Sequence, residues 1–393
     1  MTSEFLSRKT AIAGIGATEF SKNSGRSEIQ LAVEAVTAAL GDAGIDPAEV
    51  DGMSTYSMDN NMEVEVHRLI GGRRLNFFSR TEYGGGAACA PVLQGAMAIA
   101  SGVADVVVVY RAMNERSGVR FGQANALPQH PNNFMSVQLG WYMVYGLMTP
   151  ASWTAMVGQR YMHETGATSE DLGRISVAAR EFAATNPAAF FYEQPITLDD
   201  HQNSRWIVEP LRLLDCCQES DGACAAVMVS AERAKSLKKP AVLVEAAAQG
   251  ATDDQQMMTS YYRKDLARLS EMDLVANRLY EMSGLTPEHF QTAVLYDHFT
   301  PFVLPQLEAF GFCERGEAKD FVRDGQHAKG GKLPINTHGG QLGEAYIHGM
   351  NGILEGVRQV RGESVNQVND VEHVLVTGGT GVPTSGLILG AAG

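Results

Sequence analysis

Apolar residues along this chain follow two alternating rhythms. Residues 9–16 run through Ala11, Ile12, Ala13, Gly14 and Ile15, the pattern of a strand buried on both faces. Ser27 then precedes Ile29, Leu31, Ala32, Ala35, Val36, Ala39 and Leu40, whose spacing predicts a helix with one apolar face. Gly44 closes it, and Asp46-Pro47-Ala48-Glu49-Val50 predicts a short helical turn with Pro at its first position. Strand, helix and strand in succession imply parallel pairing. Tyr83-Gly84-Gly85-Gly86 opens a second helix over residues 87–101, small-residue-rich on most faces and so expected to be buried. Gly102 ends it, and Ala104-Asp105-Val106-Val107-Val108-Val109-Tyr110 is a central-strand run.

The character changes over residues 114–215. Pro128, Pro131, Pro150, Pro187 and Pro195 interrupt it, and helical patterns cover 151–165 and 169–185. This reads as a long insertion that covers a site or forms an interface. A strand pattern returns at 221–229, followed by a short helix over 230–237. The later half then echoes the earlier one. Gly284-Leu285-Thr286-Pro287-Glu288 repeats Gly44-Ile45-Asp46-Pro47-Ala48, and the strand from Val371 repeats the one from Val103. Two landmarks in the same order argue for a duplicated unit, with halves at 1–238 and 239–393; chance matching of short Gly/Pro patterns is the alternative.

Composition narrows the class. At 393 residues, with 45% hydrophobic and 19% charged residues, the chain is globular. A net charge of −14 argues against a nucleic-acid partner, since phosphate binding needs a basic face. The five cysteines are odd in number and include the adjacent Cys216-Cys217. That gives neither a disulfide framework nor paired zinc-type spacing, so no metal is expected. With no signal-peptide pattern and no apolar run of membrane-spanning length, the chain reads as cytoplasmic.

Candidate chemistry concentrates in two places. One is Tyr296-Asp297-His298-Phe299-Thr300-Pro301. The other is Asn336-Thr337-His338-Gly339-Gly340-Gln341-Leu342-Gly343-Glu344-Ala345-Tyr346-Ile347-His348-Gly349, ahead of a helical pattern at 350–360. Glycines at this density let backbone approach a ligand closely. A Gly-rich turn before a helix is the plainer structural reading.

Duplicated strand–helix units, an insertion in the first and a Gly-rich turn before a buried helix in each resemble the thiolase superfamily across essentially the whole chain. That resemblance implies an α/β thiolase fold: duplicated βαβαβαββ halves in five layers, α-β-α-β-α. The catalytic positions depart from the thiolase pattern. The nucleophilic Cys position falls on Gly85, the catalytic His position on Tyr346, and the late Cys position on about Val376, before Thr377-Gly378-Gly379-Thr380-Gly381. Acyl-cysteine chemistry is therefore not expected. The segments quoted above resemble instead the steroid side-chain-cleaving aldolases of the lipid-transfer-protein-like branch. The resemblance implies retro-aldol cleavage of a β-hydroxyacyl-CoA steroid to a ketosteroid and a short acyl-CoA, propionyl-CoA in the best-known case. It also implies a homodimer in complex with the OB-fold domain of a partner enoyl-CoA hydratase. Coenzyme A would be part of the substrate, with no separate cofactor.

Such a cleavage needs a base for the hydroxyl, a donor for the enolate oxygen and an acid for the α-carbon. Tyr296 and Tyr346 stand at thiolase active-site positions and are the expected acid–base pair. Asp297, His298, His338 and His348 are candidates for tuning or relaying. Backbone N–H groups of Gly85 and Gly86, or of Gly379 and Thr380, are candidates for holding the enolate oxygen. Two rivals stay open. One is a non-catalytic acyl-CoA-binding or scaffold subunit; the other is a thiolase or acyltransferase using Cys89. The bland reading of Cys89 and the other cysteines is a small buried residue.

Overall fold

The computed structural model describes residues 6–82, 84–118, 120, 122–123, 140–253, 255–256, 258–380 and 384–392. The middle of the insertion, with Pro128 and Pro131, and also Tyr83 and Gly381, lie outside these.

The chain begins with β1 (Thr10–Ala17) and α1 (Glu28–Ala43). The Ser27 side chain accepts from the Gln30 N–H to start α1, and Gly44, at φ 67°, ends it. The apolar stripe read from the sequence is the buried face, against β1. Contact is backbone to backbone. A Cβ at Gly14 or Gly16 would lie 2.3 Å from the Ala39 or Ala35 carbonyl oxygen. There follow β2 (Gly52–Tyr56), α2 (Glu63–Leu69), β3 (Phe77–Thr81), α3 (Ala90–Ala100) and β4 (Val106–Asn114). α3 starts later than the pattern suggested, because Gly85–Ala87 forms a separate 3-10 turn. β4 runs longer than the pattern at 104–110, carrying the polar Arg111 and Asn114 with it.

The insertion contributes α4 (Pro150–Thr165), α5 (Ser169–Thr185) and the small hairpin β5 (Trp206–Val208) and β6 (Leu211–Arg212). The sheet resumes with β7 (Asp221–Ser230) and β8 (Val242–Gly250). Next come α6 (Ser270–Ser283), β9 (Thr292–Val294), α7 (Val303–Ala309), α8 (Gly340–Gly343), α9 (Met350–Arg361), β10 (His373–Thr377) and β11 (Thr384–Ala391).

The nine main strands lie in the order β3-β2-β4-β7-β1-β8-β11-β10-β9. Reading outward from the middle, β1, β7, β4 and β2 have counterparts in β8, β11, β10 and β9. Antiparallel and parallel pairings recur in the same places: β4 with β7 and β10 with β11 antiparallel, β2 with β4 and β9 with β10 parallel. Ile335, bridged in parallel to Ala293, takes the place of β3. The halves meet where β1 pairs β8 through Ala11↔Leu243 and Ile12↔Val242. The Gly44 and Gly284 motifs are equivalent too. Each glycine ends a helix in the left-handed region, at φ 67° and 73°, and each is followed by a 3-10 turn with a capping box.

Three apolar clusters fill the layers. Val106, Val108 and Tyr110 pack with α1 on one face of the first half-sheet. Val107 and Val109, on the opposite face, join α3, α9 and the inner faces of β10 and β11 in a central layer. On the outer side of the second half-sheet, α6 packs with insertion residues from Ala151 to Ala179. This gives five layers, α-β-α-β-α, with the insertion spread over the second half.

Because a methyl at Gly14 must push α1 off β1, Gly14→Ala is expected to destabilise the fold by about 1–3 kcal/mol, read as a lower urea midpoint.

Candidate active site

β9 ends at Val294, and the chain leaves the sheet carrying Tyr296. Its N–H donates to Thr377 Oγ1 at 2.9 Å and Gln306 Oε1 at 3.2 Å, while Gln306 Nε2 donates to its carbonyl at 2.8 Å. The Tyr296 backbone is thus clamped between α7 and the end of β10. Its ring lies among glycines from three segments. A Cβ at Gly85 would fall 1.7 Å from the hydroxyl, and Cβ atoms at Gly349 and Gly379 within 2.8 and 2.9 Å of the ring. Glycine at position 85 therefore makes room for a phenol.

Tyr346 enters from the turn between α8 and α9, its N–H donating to Ser220 Oγ at 3.2 Å. The Tyr296 hydroxyl donates to the Tyr346 hydroxyl at 3.3 Å, with the rings edge to face. His298 stands edge-on to Tyr296 with centroids 4.8 Å apart, and His348 edge-on to Tyr346 at 5.0 Å. Tyr296, Tyr346, His298 and His348 therefore form one cluster.

Asp297 and His338 sit beside it rather than in it. Asp297 Oδ1 accepts from the Gln341 N–H at 2.8 Å, and its Oδ2 is buried with no partner. His338 Nε2 lies 3.9 Å from Glu344, and its carbonyl accepts from Asn186. The expected backbone donors divide in the same way. The Gly379 N–H already donates to the Gly85 carbonyl at 2.8 Å, and the Thr380 hydroxyl donates to Glu271. Gly379 is therefore corrected as an oxyanion donor, because its proton is committed to holding the two glycine turns together; the Glu271 bond occupies the Thr380 hydroxyl and not its backbone N–H. Gly85 and Gly86 open a 3-10 turn, where leading N–H groups have no partner within the helix.

Burial sets the protonation states. Both phenols are pushed well above their usual pKa by desolvation, so both carry their protons at neutral pH. Desolvation also lowers His298, to about 3, and lowers His348 well below its usual value, so both rings are neutral. The same effect raises Asp297 to about 6 against the Gln341 N–H, which pulls the other way.

Three neighbours were not singled out from the sequence. Arg111, on β4, donates through Nε to His348 Nδ1 at 3.1 Å and lies 3.3 Å from Asp59. Its signal was a lone charge inside the apolar run of β4; Asp59 gave none. Glu115, one residue past β4, is buried with Oε2 unpartnered. Desolvation, and then the Glu219 charge, push its carboxyl well above the usual range, and its charge would bear on both phenols.

Cys89 occupies the N-cap of α3, fully buried, with its N–H donating to Ser385 Oγ and its Sγ facing the Val376 carbonyl at 3.7 Å. Burial pushes the thiol far up, the opposite of what a nucleophile requires. Clefts of about 770 and 620 Å³ open elsewhere on the surface, and neither is lined by the tyrosines.

A buried and a half-buried phenol are in contact, with glycines of three segments cleared around the Tyr296 ring. Residues 250–391 match the thiolase C-terminal domain-like family model. The steroid side-chain-cleaving aldolase of Thermomonospora curvata is 64% identical over 97% of both chains. The chain belongs to the thiolase superfamily. Within that superfamily it groups with the steroid side-chain-cleaving aldolases, and it is an enzyme of the carbon–carbon lyase class. The 17-hydroxy-3-oxo-4-pregnene-20-carboxyl-CoA lyase of Mycobacterium tuberculosis is 63% identical over 98% of this chain and 100% of its own. A solved structure described as an Ltp2-ChsH2(DUF35) aldolase superposes with a TM-score of 0.94 at 63% identity, covering 98% of this chain and 99% of that one.

Cys89→Ala is expected to retain turnover within about threefold, since a buried high-pKa thiol takes no part in chemistry; steady-state rates check this. Asp297 holds its proton to about pH 6 when folded but releases it near pH 4 when unfolded. Ionising it therefore weakens the fold as pH rises through that window. Asp297→Asn should gain up to ~3 kcal/mol over wild type between about pH 4 and pH 7, read from urea unfolding at the two pH values.

Proposed function

We propose that this aldolase cleaves the side chain of a β-hydroxyacyl-CoA steroid, releasing a ketosteroid and a short acyl-CoA such as propionyl-CoA. The observation that carries the reading is the 3.3 Å contact between the Tyr296 and Tyr346 hydroxyls. A neutral phenol is a poor base, but two phenols in contact form a relay. The substrate hydroxyl proton passes to one phenol oxygen, that phenol hands its own proton to the other, and the second protonates the α-carbon. The C–O bond becomes a carbonyl as the C–C electron pair moves to the thioester enolate. Both tyrosines end as they began, so the step needs no covalent nucleophile and no metal ion. Gly85 and Gly86 N–H groups are the proposed donors to the enolate oxygen. Asp297, His298 and His338 shape the field around the pair.

The names of the relatives support the substrate class: one is a steroid side-chain-cleaving aldolase, the other a pregnene-carboxyl-CoA lyase. A buried cluster rich in titratable groups also speaks against decay to a scaffold, which would tend to fill with apolar side chains. We place the enzyme in the cytoplasm, consistent with five unpaired cysteines. A homodimer is supported by β3, an edge strand exposing Phe78 beside exposed Met62, Val64 and Leu69. An OB-fold partner from an enoyl-CoA hydratase is supported by the two-component name of the solved relative and by exposed Trp141, Val144 and Tyr145 in the insertion.

Tyr346→Phe should fold normally, by circular dichroism and thermal melting, yet lose about 10²–10⁴-fold in acyl-CoA release from a β-hydroxy steroid acyl-CoA, assayed with and without the partner domain. Near-wild-type turnover would sink the relay.

A further inference from the structure

Among the described residues, Arg111 is the largest fully buried side chain. It follows the apolar run Val106–Val109 and Tyr110 of β4. Burying a guanidinium costs several kcal/mol even when it is paired, and a well-packed apolar residue often does as well for stability. Its contacts show what it does there. Nη1 donates to the Ala112 carbonyl at 2.9 Å and lies 3.3 Å from Asp59 Oδ2, and Nε donates to His348 Nδ1 at 3.1 Å. Asp59 is held in turn by the Ala112 N–H and by the N–H and amide of Asn61, each at 2.8 Å.

A guanidinium has only donors and keeps its charge. The ring nitrogen that faces it must therefore present a lone pair, and the proton of a neutral imidazole must sit on the other nitrogen. We infer that Arg111, anchored by Asp59, is a positioning residue that locks His348 as a neutral imidazole protonated on Nε2, so that His348 serves the reaction as a hydrogen-bond donor and never as a base. This rests on the proposed tyrosine site and deepens it.

Geometry puts that donor where the chemistry needs one. A Cβ at Gly84 would lie 3.1 Å from His348 Nε2, so the protonated edge faces the turn that leads into the Gly85 and Gly86 N–H groups. His348 also holds a left-handed backbone, φ 48°, uncommon for a residue with a side chain and frequent at functional positions. The groups that face it are Arg111 on β4, Tyr56 at the end of β2, Tyr346 on its own segment and His298 beyond β9. Of these only Arg111 is charged, and burial, Arg111 and His298 each disfavour an imidazolium; Asp59 acts through Arg111. The structure thus adds a side-chain N–H to the two backbone donors, in a state fixed before substrate arrives.

The test is a long-range ¹H–¹⁵N correlation spectrum of the intact enzyme labelled in its histidine rings, with the His348 signals assigned by their loss in His348→Gln. The expected result is bare Nδ1 and protonated Nε2, unchanged between about pH 5 and pH 8. Arg111→Met should mix the tautomers or titrate in that window, and lower kcat about 100-fold with KM little changed. Asp59→Asn, which keeps the guanidinium, should fall between. Protonated Nδ1 in the wild type, or an imidazolium forming near pH 6.5, overturns the lock, and this arm stands even if Arg111→Met fails to fold. A Tyr346→Phe variant that cleaves normally beside an unchanged histidine spectrum would overturn the tyrosine reading alone, so the two fail separately.

Discussion

Contact between the hydroxyls of buried Tyr296 and half-buried Tyr346 constrains the middle of this molecule. A hydroxyl removed from water loses hydrogen bonds, and Tyr296 and Tyr346 recover one from each other. The contact exists only because Gly85, Gly349 and Gly379 give up the space a side chain would take around the Tyr296 ring. Those glycines come from three distant segments, two of them joined by a hydrogen bond from Gly379 to the Gly85 carbonyl. The tyrosines belong to the second half of the duplicated fold, while Gly85 and Arg111 belong to the first. The site therefore needs both half-sheets joined at β1 and β8.

Burial does more than pack this site. It raises both phenols and lowers both cluster histidines, so these four groups are neutral near pH 7, while Asp297, raised only to about 6, ionises just below it. The ion pair of Arg111 with Asp59 is shielded from water, and its strength is spent on orienting a ring rather than on a covalent step. A thiolase needs a thiolate, which desolvation at Cys89 opposes. A retro-aldol relay needs only protons that can move along a fixed path. The same five-layer frame can host either chemistry, depending on what stands at a few positions.

Much of the frame was legible in the chain. The apolar stripe of α1, the Gly44 and Gly284 motifs and the β-branched run of β4 depend on near-neighbour spacing and turn chemistry, so local pattern sufficed. Family resemblance pointed to Tyr296 and Tyr346, which the fold brings into contact. Element ends were less so: α3 begins at Ala90 rather than at residue 87, because a 3-10 turn takes up the glycines. Gly379 was assigned a free N–H, yet that proton is bonded to a carbonyl 294 residues away in sequence, at Gly85. No local pattern encodes such a contact.

By itself the sequence determined most of the elements that form, that they repeat, and that titratable groups concentrate in two segments. These follow from periodicity and residue identity. Only the tertiary structure decided how close the phenols come, which backbone donors remain, and that Asp59 and Arg111 reach His348. The reason is physical: distance and desolvation arise where segments converge, and they keep the two phenols, His298 and His348 neutral.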